Sequence, residues 1–217
     1  MAVEFSVSTQ HYLFSVQTFA HTVLSLGGDA YHYALRDRTT QGVIDDVAAG
    51  TSGLGVVFET SQTAPVLEEA FDAAGLEFVN LIDSAPRVAL PASHPLVNAE
   101  ALSLDVLADY PYIYFDQGVD APEAFYEEAF GDVPRAKSIA ATDRASLSEL
   151  IVALNGYTIT SGILVGISDG AGLNTVPLKA DVTLHLGYLK KKGASLDGAG
   201  ARFVDILKKN LERYATL

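Results

Sequence analysis

The feature that most constrains this chain is a rhythm. Short β-rich runs alternate with helical segments of about ten to fifteen residues throughout. VEFSVS (3–8) reads as a strand, after which Tyr12, Leu13, Val16, Phe19, Ala20, Val23 and Leu24 recur at helical spacing until Gly27-Gly28 stops them. YHYALR (31–36) alternates as a strand. Thr39 or Thr40 then caps a short helix with an apolar side of Val43, Ile44 and Val47, ended by Gly50. LGVVFE (54–59) is a strand of the buried type, and PVLEEAFDAAG (65–75) is a helix opened by proline and closed by glycine. LEFVNLID and PRVALP follow as strands, SLDVLADY as a short helix, YIYFDQ (112–117) as a strand and APEAFYEEAFG (121–131) as a helix. RAKSIAA (135–141) is a strand, and Thr142 or Asp143 caps the helix RASLSELIVALN. GYTITSGI, NTVPL and VTLHLGYLKKK are strands before a closing amphipathic helix, LDGAGARFVDILKKNLERY. This is the grammar of an α/β fold, with strands joined by crossover helices.

Several function classes drop out on composition. With 217 residues, 49% hydrophobic and 19% charged, the chain suffices for one large domain or two small lobes. Its formal net charge of −13 opposes a DNA duplex, and the cationic runs Lys190-Lys191-Lys192 and Lys208-Lys209 come with no helix-turn-helix pattern. The absence of cysteine removes thiolate nucleophiles, disulfides and thiolate-bound zinc. Five histidines, at 11, 21, 32, 94 and 185, show no i, i+4 pair, so no metal is expected. The two DGAG copies, at 169–172 and 197–200, lack the spacing of a phosphate-binding fingerprint and read as turns. No G-x-S-x-G nucleophile elbow is present, so neither an enzyme nor a cofactor is expected. MAVEFSVSTQ resembles no signal peptide and no stretch is long enough to span a bilayer, which makes the cytoplasm the default.

The order of VEFSVSTQ, DDVAAG, VALPASHPL, SLDVLADYPYIYF, TDRASLSELIVALNGYTITSG and NTVPL resembles the effector-binding domain of the LysR-type transcriptional regulators over essentially the whole chain. His-Pro-Leu after a strand and the Leu-Ala-Asp-x-Pro-x-Ile phrase are its most specific parts. The resemblance implies two Rossmann-like lobes of the type 2 periplasmic-binding-protein kind, joined by two crossover strands, with a ligand cleft between them. On that basis lobe I takes 1–93 and 187–217, and lobe II takes 94–186. It further implies a small-molecule effector, signalling by lobe rearrangement, and a homodimer through residues 11–26 and 121–131. DNA would be met only by a winged helix-turn-helix segment that is not in this sequence. Family members also tend to carry an acid where Gly53 stands, and Gly53 with Gly55 is expected to loosen that position. A stand-alone solute-binding protein and an enzyme on the same fold are the alternatives. The second is weakened because Thr142-Asp143-Arg144 does not reproduce the Thr-Arg-Phe motif of prephenate dehydratase.

Ligands of open α/β sheets gather at strand ends, where helix N-termini present free N–H groups and roughly half a positive charge. Four segments qualify: Ser8, Thr9 and Gln10 after the first strand; Arg38, Thr39 and Thr40 after the second; Thr142 at a helix start; and Thr158, Thr160 and Ser161 along a later strand. Hydroxyls facing each other across a cleft suit a small carboxylate, and Arg38 could pair with a second one. The rival reading is that these residues simply cap helices.

Overall fold

The computed structural model describes residues 4–163 and 172–214. Its first lobe is built on a five-stranded sheet. β1 (Phe5–Thr9), β2 (Tyr33–Asp37) and β3 (Leu54–Thr60) run parallel, connected by α1 (Leu13–Leu26) and α2 (Thr40–Ala49). After α3 (Ala64–Ala73), β4 (Leu76–Ser84) reaches the far edge of the same sheet. The order is completed by β10 (Leu184–Lys191), which inserts antiparallel between β3 and β4. All seven residues of β3 are buried, as a central strand covered on both faces requires. α2 and α3 cover one face through Val43, Val47, Leu67 and Phe71. The other carries α1 and α6 (Gly198–Tyr214), whose Phe203, Leu207 and Leu211 are buried at 1% exposure or less. The second DGAG opens α6, where the Asp197 carboxylate accepts from Gly200 N at 2.5 Å, while residues 169–171 of the first lie outside the described residues.

The second lobe holds β5 (Arg87–Pro91), flanked antiparallel by β8 (Thr158–Thr160) and β9 (Leu173–Pro177). After the short α4 (Leu104–Leu107) comes a parallel pair, β6 (Tyr112–Phe115) and β7 (Ser138–Ala141), and α5 (Arg144–Leu154) packs over it. An isolated bridge between Tyr112 and Tyr157 joins the pair to the three-stranded sheet.

Three expectations are corrected. The chain leaves the first sheet at Ala85-Pro86, because β5 pairs only within the second, and it returns before Leu184; the sequence boundaries of 93/94 and 186/187 lie too late. Pro86 lacks the N–H a continuing strand needs, which makes it the natural break. His94-Pro95-Leu96 therefore follows the crossing as a turn inside the second lobe, with His94 1% exposed and its Nδ1 accepting from Leu96 N at 3.1 Å. Burial holds the His94 pKa below its ordinary value.

The second correction concerns residues 121–131, which form a single 3-10 turn (Glu123–Phe125) and otherwise irregular backbone. Phe125 plugs the first lobe's core beside Val43 and Leu67, and Glu127 and Glu128 are buried. Tertiary burial has overridden a helical pattern, and Phe125 is not available to a dimer face. Third, Gly55 loosens nothing: a methyl group there would overlap Val43 and touch Val47, so β3 and α2 meet because position 55 has no side chain.

Candidate functional site

Between the lobes lies a cavity of about 80 Å³. The first lobe offers His11, Tyr12 and Leu13, the turn that lifts the chain from β1 into α1. The second offers the start of α5 (Arg144, Leu147) and the edge of β8 (Thr158, Thr160), with Phe115, Glu127 and Glu128 as a dividing wall. The N-termini of α1 and α5, each more than ten residues long, thus border one space and bring partial positive charge to it.

The wall is tightly bonded. His11 stacks on Phe115 with ring centroids 4.2 Å apart. Its Nδ1 meets the Glu127 carboxylate at 2.9 Å, and its backbone N–H donates to the same group at 2.8 Å. Gln117 Nε2 adds a third donor to Glu127 at 2.8 Å. Burial works against a charged imidazolium, but the hydrogen bond and charge of Glu127 prevail, and the His11 pKa lies above its ordinary value. Next to it, burial and then the Glu127 charge hold the Glu128 pKa well above the usual carboxylate range, favouring its neutral form. Its Oε1 accepts from Phe115 N at 2.9 Å, and its buried Oε2 has no partner among the described residues. Burial likewise keeps the Tyr12 phenol protonated.

The charges on this wall oppose one another: the His11 ring is biased toward its cationic form by Glu127, and Glu128 toward its neutral form. What remains is donor capacity. Thr158 Oγ1 is buried and finds no partner among the described residues. Arg144 gives Nη2 to Asp37 at 2.6 Å, bridging the lobes, while its Nη1 is buried and unpartnered among the described residues. Leu13, Leu147, Ile163 and Leu173 supply an apolar side.

Thr158 and Thr160 are therefore the sequence-expected residues that the structure brings to this cavity. Ser161 lies just past it, its hydroxyl accepting from Ile163 N at 3.4 Å and its carbonyl from Ser84. The others are engaged elsewhere. Ser8 bonds Asp46 and Ser52, Thr9 bonds the Gln10 carbonyl and Ser15, and Thr39 caps α2 by accepting from Gly42 N. Gln10 holds Thr40 Oγ1 at 2.5 Å and Phe58 N at 2.9 Å. Thr40 donates from its backbone N–H to Gln117 and from its hydroxyl to the Phe125 carbonyl. Arg38 pairs with Asp46 at 3.0 Å, and Thr142 is exposed. Residues passed over in the sequence do more here: His11, Arg144, Glu127 and Glu128. The one available signal was AFYEEAF, two acids set inside an aromatic run, which no solvated helix face explains.

The substrate-binding domain model of the LysR family matches residues 32–212. The chain belongs to this family. Among solved structures, the LysR family regulator HinK from Pseudomonas aeruginosa is 18% identical, with a TM-score of 0.63 over 97% of this chain and 70% of that one. The reduced OxyR regulatory domain from Pseudomonas aeruginosa gives 12% identity and a TM-score of 0.65, covering 94% of this chain and 96% of its own. An OxyR mutant from Corynebacterium glutamicum with hydrogen peroxide bound gives 15% and 0.66, covering 98% of this chain and 66% of that one. At such identities these likenesses speak to the fold, the two-lobed periplasmic-binding-protein arrangement. No curated protein sequence matches the chain. This LysR substrate-binding domain is an effector-binding unit of transcriptional regulators rather than an enzyme. Among its described residues there is no group of side chains suited to a metal and no helix long and apolar enough to cross a membrane.

Proposed function

We propose that this LysR domain senses a small organic monoanion in the cavity between its lobes, in the cytoplasm, and signals by a change in how the lobes close. The supporting observation is that Thr158 Oγ1 and Arg144 Nη1, two buried donors without partners, border one partly apolar space. Unanswered buried donors each cost about 1–3 kcal/mol, and an acceptor that answers both recovers that. A carboxylate does so, with its apolar body against Leu147 and Leu173. The ligand is short. A cavity of about 150 Å³ is known to hold benzene, and this one is about 80 Å³. Redox sensing through a thiol is not open to a chain without cysteine. Contact with DNA belongs to another segment, and the partner surface of a homodimer is drawn from α1, where Leu24 is 79% exposed.

Short monocarboxylates are expected to raise the melting temperature saturably. At a hundred times the dissociation constant the gain is about 2.7 kcal/mol, or roughly 5–11 °C for a chain of this size. Thr158→Val keeps the side-chain shape, deletes the hydroxyl and should abolish the shift, while the ligand-free melt rises because a buried donor without a partner is removed. If amines or neutral sugars match the acids, or if Thr158→Val responds undiminished, the assignment is wrong.

A further inference from the structure

Resting on the reading of the cleft as the effector site, we propose that its first-lobe half is a carboxylate seat that the chain fills with its own Glu127, which thereby decides which acids the cleft admits.

The two halves of the cleft are unequally satisfied. On the second lobe, Thr158 Oγ1 and Arg144 Nη1 have no partner among the described residues. On the first, the donors at the strand ends are answered by acceptors from one stretch of the second lobe. Thr40 N donates to Gln117 Oε1 at 2.9 Å, and Thr40 Oγ1 donates to the Phe125 carbonyl at 2.7 Å. His11 N and Nδ1 both reach the Glu127 carboxylate, at 2.8 and 2.9 Å. A backbone N–H just ahead of α1, a ring N–H and the Gln117 amide around one carboxylate form the donor set that an external organic acid would require. The seat is dry, with side-chain exposures of 7% for His11 and 2% for Glu127. The stretch gives up the helix its sequence favours in order to reach it. While Glu127 stays seated, a ligand has only the space beside Arg144 and Thr158, which suits one carboxylate. An acid with a second carboxylate must displace Glu127 to place it.

Acetate is the probe. In Thr158→Val, acetate should add nothing to the stability given by sodium chloride at equal ionic strength. In the double variant Glu127→Ala/Thr158→Val, the emptied seat should bind it, so sodium acetate should raise the melting temperature saturably by several degrees over chloride. An acetate effect no larger than that of chloride in the double variant overturns the seat. A persistent response in Thr158→Val alone counts instead against the second-lobe site. Should the double variant fold poorly, Glu127→Gln gives an independent readout. Asp37, Asp143, Arg144 and Glu127 are the charges that face His11, and only the last is altered. The His11 titration followed by NMR should fall from above its ordinary midpoint to below it, since burial then acts without the seated charge. An unchanged midpoint refutes the proposal.

Discussion

Gly187→Ala is expected to cost about 3 kcal/mol and lower the melting temperature by roughly 6–12 °C. β10 carries the chain back from the second lobe and pairs on both sides, with its register against β4 shifting between Leu186 and Gly187. A methyl group at 187 would overlap the Val79 carbonyl oxygen and press on the Phe78 ring. The ring can tilt. The carbonyl is fixed by its own strand, so β10 or β4 must move. Gly53→Ala is the matched control, because the nearest atom to its added carbon is Ser6 O at 3.7 Å, an ordinary contact, and it should fall within about 0.5 kcal/mol of the parent. Equal melting of the two variants would show that close strand packing is not what position 187 requires.

Glu128→Gln and Glu59→Gln are expected to change the slope of stability against pH. Burial, then the Glu68 charge, raises the Glu59 pKa from 4.5 to about 7, with His185 pulling the other way. The Glu128 pKa is also raised, by burial first and then by the Glu127 charge. For an acid whose folded pKa exceeds its unfolded one, the folded state holds the proton more tightly. The stability contribution is then full below about pH 4.5 and lost as pH climbs through the folded value. Glu59 loses its share between 4.5 and about 7, and Glu128 loses its own as pH climbs through its raised folded value. A glutamine has no proton to lose and keeps the acceptor that Phe115 N uses at 128. Both variants should match the parent near pH 4 and exceed it at pH 8. The shift at 59 corresponds to at most about 3 kcal/mol, and less once relaxation and water act. Half-buried Glu77 and exposed Asp83, whose pKa values are lowered by hydrogen bonds to Lys190 and to His185, slope the opposite way but cancel in the difference. Urea melts that run parallel at both pH values would contradict the buried neutral acids.

Much of the architecture was legible in the sequence because periodicity reports burial directly. Strands such as LGVVFE and the amphipathic α6 were readable, since each buries its apolar side in a regular element. Residues 121–131 were not, because their helical spacing was real but Phe125 and Glu127 gain more by reaching the other lobe than by completing turns. The site was partly legible for a related reason. Thr158 and Thr160 lie on a recognisable strand end. Ser8, Thr9, Gln10 and Thr40 also lie at strand ends, but whether such a hydroxyl meets a ligand or a neighbour depends on residues distant in sequence. Gln117 and Phe125 answer Thr40 from 77 and 85 positions away, and no local pattern records that.

The seating of Glu127 makes this domain a receptor with a tethered competitor. A tethered group acts at an effective concentration set by its linker, in the millimolar range when the linker is short, falling as it lengthens. Any acid that places a second carboxylate in the seat must contend with that figure, which sets the concentration at which such an acid is admitted. The tether is anchored at Gln117, and its exposed turn at Gly118–Asp120 includes Val119, which is 102% exposed. Inserting glycine and serine there leaves every donor in place while diluting the competitor. The concentration at which an acid with two carboxylates binds should then fall, although the seat itself is untouched, while that for a monocarboxylate stays the same.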